Sequence, residues 1–176
     1  MEIIVTAAAP DAPRHRGILT AGGQGIDCAL GKGGITRDKR EGDGATPCGR
    51  LMLRRVLYRA DRLARPNTKL PCTAIATDDG WCDDPANPDY NRPIRFPFDA
   101  SAEHLWRDDA LYDLIVVLGH NDDPPQPGAG SAIFLHVARD GLEPTEGCVA
   151  IPRAALIGLV EKLAPGDAIV ISGTER

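Results

Sequence analysis

Short runs of alternating apolar and polar residues begin almost at the first position of this chain and recur along it. Residues 2–6, 17–21, 26–30 and 51–57 carry the pattern of strands, separated by glycine-rich turns, and Gly22-Gly23 predicts a hairpin connection. Residues 113–118 and 131–138 are the strongest candidates for central strands. In the second of these, alternation places Phe134, His136 and Ala138 on one face and Ile133, Leu135 and Val137 on the other. One segment has helical spacing instead. Over 152–163, Leu156, Leu159, Val160 and Leu163 form an apolar stripe, Pro152 suits the first turn, and Pro165-Gly166-Asp167 ends the helix. Residues 168–172 then return as a strand. A second, short helix is predicted over 101–106 with Ser101 as its cap, and 31–49 is too polar and glycine-rich for a regular element.

Length and composition narrow the class. The 176 residues fit a single domain, 1–176, with no repeat or linker dividing them. Nineteen glycines and fifteen prolines favour a loop-rich, strand-dominated fold. A net charge of −5 argues against nucleic acid as a partner, and no stretch approaches the roughly 20 apolar residues of a membrane span. The five cysteines are odd in number and contain no Cys-x-x-Cys. They therefore suggest neither a disulfide framework nor a zinc knuckle, and fit a reduced compartment. The four histidines lack metal-ligand spacing, so no metal is expected. Residues 1–6 lack a basic start and a long apolar core and read as a strand, which as written favours a cytoplasmic location. Nothing in the composition speaks to an oligomeric state.

The chemistry concentrates in sixteen residues. His136 lies in an apolar run, and Thr145-Glu146-Gly147-Cys148-Val149 follows it. A cysteine in an apolar segment is ordinarily an inert small hydrophobe, and a strand histidine is ordinarily satisfied by hydrogen bonds. Here the context is richer. A chain that doubles back about Leu142, after the turn formers Asp140-Gly141, would make His136 and Cys148 cross-strand neighbours. A free thiol has a pKa of about 8.5 and needs such a base to become a nucleophile at neutral pH. Gly147 permits close backbone approach, N–H groups near Gly147 and Cys148 are candidates for receiving an oxyanion, and Thr145 offers a hydroxyl to orient a neighbour.

Two further regions are singled out. Asp78-Asp79-Gly80-Trp81-Cys82-Asp83-Asp84 and Asp89-Tyr90-Asn91-Arg92-Pro93 mix acids with aromatics, without the spacing of a calcium loop. They read either as a packed surface loop or as a substrate-facing insertion, with Trp81, Tyr90, Asn91 and Arg92 as contacts. His120, at the end of a strand, either lines the same cleft or caps it. The charges of 37–41 read mainly as solvated surface.

His136, then Thr145-x-Gly147-Cys148-Val149, resembles the signature of the YkuD-type L,D-transpeptidases. Gly42-Asp43-Gly44-Ala45-Thr46-Pro47-Cys48-Gly49 is similar to that domain's Thr-Pro-x-Gly turn, and Gly31-Lys32-Gly33-Gly34 to its short glycine-containing turn. The resemblance spans about residues 16–172. It implies a mainly β, antiparallel β-sandwich-like catalytic domain with a few peripheral helices. It also implies Cys148 as nucleophile, His136 as base, no cofactor, and peptidoglycan stem peptides or muropeptides as partners. Cys148 would form a thioester with the L-centre of a stem peptide's third residue, a diamino acid, and release D-alanine. Three departures stand out. Glu146 replaces the family's second histidine, Ala150 replaces a polar residue after the cysteine, and the loop before Cys148 is short. Arg139 and Arg153 are the candidates to supply the missing cation. Alternative expectations are an intracellular L,D-carboxypeptidase that trims tetrapeptides in wall recycling, and a wall-peptide binder without chemistry. Most such enzymes work outside the cytoplasmic membrane, so a periplasmic location is expected if an export segment is missing from this sequence.

Overall fold

The computed structural model describes residues 1–173. Along the chain the strands are β1 (Glu2–Ala7), β2 (Arg16–Ala21), β3 (Gln24–Ala29), β4 (Ile35–Thr36), β5 (Thr46–Pro47), β6 (Gly49–Tyr58) and β7 (Cys72–Ala74). Then come β8 (Asp79–Cys82), β9 (Pro93–Arg95), β10 (Ala102–His104), β11 (Leu114–Leu118), β12 (Phe134–Val137), β13 (Val149–Ile151) and β14 (Ala168–Ser172). A single α-helix among the described residues, α1 (Arg153–Val160), precedes β14. The expected strands and the helix expected over 152–163 are present. Between β2 and β3, Gly22 and Gly23 take φ of +56° and +79°, the left-handed pair that a two-residue hairpin turn requires.

The architecture corrects the expected antiparallel sandwich. The main sheet runs β11-β12-β13-β3-β2-β1-β14-β6, and β6 pairs back onto β11, so the sheet closes into a barrel. It is mixed. β1 pairs in parallel with β14, and β12 in parallel with β13. Ten residues of β6 make closure possible: Gly49 to Met52 pair with β14, and Leu53 to Tyr58 pair with β11. Closure leaves few strand edges exposed for pairing with other chains.

Alternation sorts the side chains into two clusters. Ile3, Val5, Leu19, Leu53, Val116, Leu135, Val149 and Ile151 belong to the larger core, joined by Leu156, Leu159 and Val160 of α1. Across β1 the outward Ile4 is 44% exposed, while Ile3 and Val5 are fully buried, so that outer face meets solvent. On β11 and β12 the other face is covered too. Ile115, Val117, Phe134 and Cys148 pack with Trp81, Leu105 and Tyr112 in a second cluster. The cover comes from the small sheet β10-β8-β9. Here the short helix expected over 101–106 is corrected: Ala102, Glu103 and His104 pair antiparallel with Cys82, Trp81 and Gly80. Pairing with β8 and burial of Leu105 outweigh the local signal of Ser101. The stretch read as a loop over 31–49 contains the two-residue pair β4 and β5, and its last residue, Gly49, opens β6.

Candidate active-site cleft

The segment before Cys148 is a hydrogen-bonded turn. Thr145 Oγ1 accepts from Gly147 N–H at 3.1 Å and donates to the Cys148 carbonyl at 2.7 Å. Thr46, fully buried, also reaches that carbonyl through Oγ1 at 3.5 Å, and its Oγ1 accepts from Gly31 N–H at 2.8 Å. Gly147 has φ +139°, and a Cβ there would lie 2.9 Å from the Ala45 carbonyl oxygen. Only glycine fits both demands. Thr145 N–H bonds to Leu30 O, and Gly31 bridges to Thr145 in parallel. The glycine-rich and Thr-Pro segments singled out in the sequence therefore back the cysteine turn.

The expected route from His136 to Cys148 is corrected. The chain passes through a 3₁₀ turn, Asp140–Leu142, but β12 and β13 are parallel, with His136 opposite Ala150 and Leu135 opposite Val149. Cys148 consequently lies level with Phe134, two residues from the partner of His136 and on the same face. Its sulfur accepts from Phe134 N–H at 3.3 Å and donates to the Ala132 carbonyl at 3.2 Å. His136 Nδ1 meets its neighbour's carbonyl, Val137 O, at 2.9 Å, which fixes Nδ1 as the protonated nitrogen and leaves Nε2 with its lone pair. Tyr112 packs edge-on against the imidazole, with centroids 5.3 Å apart.

Burial dominates the electrostatics. Cys148 is 8% exposed and His136 4%. Desolvation, and secondarily the Glu103 charge, push the thiol up to about 12, while desolvation brings the imidazole down to about 4. At neutral pH both are uncharged. Both line one cleft of about 450 Å³.

Several residues of this cleft escaped the sequence reading. Tyr112 donates to Glu103 Oε1 at 2.5 Å, and the Arg107 guanidinium lies 5.3 Å from the centre of its ring. Glu41, read as solvated surface, turns inward and accepts from Tyr90 Oη at 2.5 Å and Ser131 Oγ at 2.7 Å. Asp83, within the acidic segment singled out in the sequence but not among the contacts named there, also lines the cleft. A strand pattern in Ala102-Glu103-His104-Leu105 was the one available signal for Glu103.

The residues expected to contact substrate divide into two groups. Arg139 and Thr145 line the cleft with Cys148 and His136. Trp81, Tyr90 and Asn91 lie behind its wall, each at most 6% exposed. Asn91 accepts from Trp81 Nε1 at 2.9 Å and Ala132 N–H at 3.1 Å, and donates to the His120 and Asn121 carbonyls. His120 Nε2 meets Ala129 O at 2.9 Å. Arg92, Asn91, Trp81 and His120 border a separate depression of about 270 Å³. Arg153, on α1, pairs with the buried Asp113 at 3.3 Å, outside the cleft. Of the two departures beside the cysteine, Glu146 is exposed at the rim and paired with Lys32 at 2.7 Å, and Ala150 is buried in the cleft lining.

Among the described residues no three His, Cys, Asp or Glu side chains are grouped to hold a metal ion, and no helix is long and apolar enough to cross a membrane. Comparison with curated proteins and with solved structures returns no match. A family model does match, over residues 11–171, and its description is the L,D-transpeptidase catalytic domain, YkuD. It covers the barrel strands from β2 onward, the Thr46 turn, and the cleft with Cys148 and His136, so the chain belongs to the YkuD family of L,D-transpeptidase catalytic domains.

Proposed function

We propose that this protein is a cysteine-dependent peptidoglycan L,D-transpeptidase with Cys148 as nucleophile and His136 as base. The observation that carries the reading is the placement of a thiol and an imidazole with an unprotonated Nε2 on one cleft wall. In the resting cleft the pair is neutral. The Cys148 proton passes to His136 Nε2 as the sulfur attacks the carbonyl carbon that links the L-centre of the third stem residue to the terminal D-alanine. The carbonyl oxygen takes up the electron pair. Gly147 N–H is committed to Thr145, so the Cys148 N–H is the donor left for that oxyanion. Collapse breaks the C–N bond, and the imidazolium returns its proton to the departing D-alanine amine. A second amine then attacks the thioester carbonyl, giving up a proton to His136 Nε2; the C–S bond breaks, the Cys148 sulfur leaves and takes that proton back, and the product is a cross-link or an exchanged residue.

The neutral pair supports a latent nucleophile. Charge separation in a buried cleft is unfavourable until a bound peptide supplies dipoles around it. Purified protein incubated with a defined tetrapeptide, its products weighed by mass spectrometry, tests the assignment. Dimers or exchanged residues are expected. Loss of D-alanine alone assigns water as acceptor and an L,D-carboxypeptidase, and intact peptide with measurable binding assigns a binder. Cys148→Ala is expected to lower turnover by at least about 10³-fold with the fold intact. Retained activity removes the thiol mechanism.

A further inference from the structure

The cleft around Cys148 is more acidic than catalysis by a thiol requires. Five carboxylates (Glu41, Asp83, Glu103, Glu143 and Glu146) line the cleft against two guanidiniums, Arg107 and Arg139. The protein's own cations are already committed. Arg107 holds Asp109 at 2.7 Å, Arg139 lies 3.9 Å from Asp109 and 3.7 Å from Glu143, and Lys32 takes Glu146. Three acids form no ion pair among the described residues. Among the described residues Glu41 has only hydroxyl donors, Tyr90 and Ser131. Glu103 has the Tyr112 hydroxyl on Oε1 and no donor from the described residues on Oε2. Asp83 Oδ1 is shielded from solvent and has no hydrogen-bond partner among the described residues.

An acidic wall beside a nucleophilic thiol works against the nucleophile, because a nearby anion disfavours the thiolate. Glu103 does act on Cys148 in this sense. Burial raises the Glu103 carboxyl, Asp83 and Glu41 raise it further, and the Tyr112 hydrogen bond and Arg107 oppose them. The carboxylates are not grouped to share a metal ion. What suits them is a larger cation that hydrogen-bonds to one carboxylate while lying in the field of the others. An ammonium group has that form, with three donors around a single charge.

We infer that Glu103 is the specificity residue of this cleft and that its free carboxylate oxygen receives an ammonium group on the side chain of the donor peptide, with Asp83 and Glu41 adding to the attraction. The inference rests on the wall-peptide reading above, in which the third residue is a diamino acid, and adds the residue that reads its side-chain amine. It also gives the unfavourable anion a use. A bound ammonium neutralises the charge that opposes thiolate formation, so Cys148 is activated when the correct donor is seated. Tyr112, which holds Glu103 and packs on His136, links the recognising carboxyl to the base.

Two peptides test it, one with a free side-chain amine on its third residue and the same peptide acetylated on that amine. Binding is measured by calorimetry to Cys148→Ala protein, which separates recognition from turnover. The free amine is expected to bind about tenfold tighter or more. Adding Glu103→Gln, which keeps an oxygen for Tyr112, is expected to weaken the free-amine peptide to the level of the acetylated one and leave the latter unchanged. Glu103→Asp, which keeps the charge, is expected to retain part of the preference. Equal binding of both peptides, no binding of either, or equal loss of both in Glu103→Gln overturns the inference. Failure of the proposed function reads differently: wild-type protein would prefer the amine in binding yet turn over neither peptide.

Discussion

At the scale of the residue, burial holds the His136 imidazole uncharged, and that has a consequence for stability. Its imidazole is lowered to about 4, against an unperturbed value near 6.5. Between those values the unfolded chain binds a proton at this position that the folded chain does not. Stability from this residue is therefore fully present above pH 6.5 and is lost as pH falls toward 4, below which both states are protonated. Integrated over the window, the loss is on the order of 3 kcal/mol. Urea denaturation of wild-type protein and His136→Gln at pH 7.5 and 4.5 checks this. The variant is expected to lose less stability on acidification, by about 2 kcal/mol or more. Equal losses would show that the imidazole is protonated in the fold. That a cysteine and a histidine of this segment line one cleft was anticipated in the sequence from residue types at a spacing. The nitrogen that remains free was not, because it depends on a bond to the Val137 carbonyl that only the backbone trace reveals.

At the scale of the element, the wall of the cleft is set by a buried asparagine. Asn91 joins the end of β11, the approach to β12 and the Trp81 strand through four hydrogen bonds. One of them holds Ala132, whose φ is +51°, and the Ala132 carbonyl accepts the Cys148 S–H. A non-glycine residue in that conformation persists only when its surroundings impose it. Asn91→Ala would leave the Trp81 and Ala132 N–H groups and two carbonyls without partners. It is expected to cost about 2–4 kcal/mol and to lower kcat by about tenfold or more with a smaller change in KM. Thermal melts and steady-state kinetics read both, and a variant as stable and active as wild type would remove Asn91 from this role. In the sequence, Asn91 was offered as a substrate contact. The difference is instructive: a polar residue among aromatics signals a committed group, but not whether its partner is ligand or backbone. Strand faces were legible for the complementary reason, since Leu135 and Phe134 reach different cores by alternation alone. Strand partners were not. Parallel pairing of β12 with β13 depends on how the loop 138–148 crosses, and turn-forming residues there are equally compatible with a hairpin.

At the scale of the whole molecule, barrel closure determines what α1 can do, and Arg153 is the discriminating residue. Closure joins β6 to β11, while β1 pairs with β14 from the far end of the chain, a contact that no local pattern announces. The helix follows β13 directly and packs its Leu156, Leu159 and Val160 into the barrel core, which leaves Arg153 at its first turn beside Asp113. Asp113 is 2% exposed and also holds Arg62 at 2.8 Å. Arg153 thus fastens the helix to the entry of β11, away from the cleft that contains Arg139. Removing it leaves Asp113 paired with Arg62, and Arg153 is itself 42% exposed and screened by solvent, so Arg153→Ala is expected to cost about 1 kcal/mol or less. That corresponds to a melting shift of about 2–4 °C at most in a chain of this size. Its kcat/KM for a tetrapeptide is expected to stay within about twofold of wild type, whereas Arg139→Ala, at the cleft rim, is expected to alter KM. A rise in KM for Arg153→Ala with unchanged melting would place this arginine at the substrate, because a structural tie cannot change recognition while leaving stability untouched.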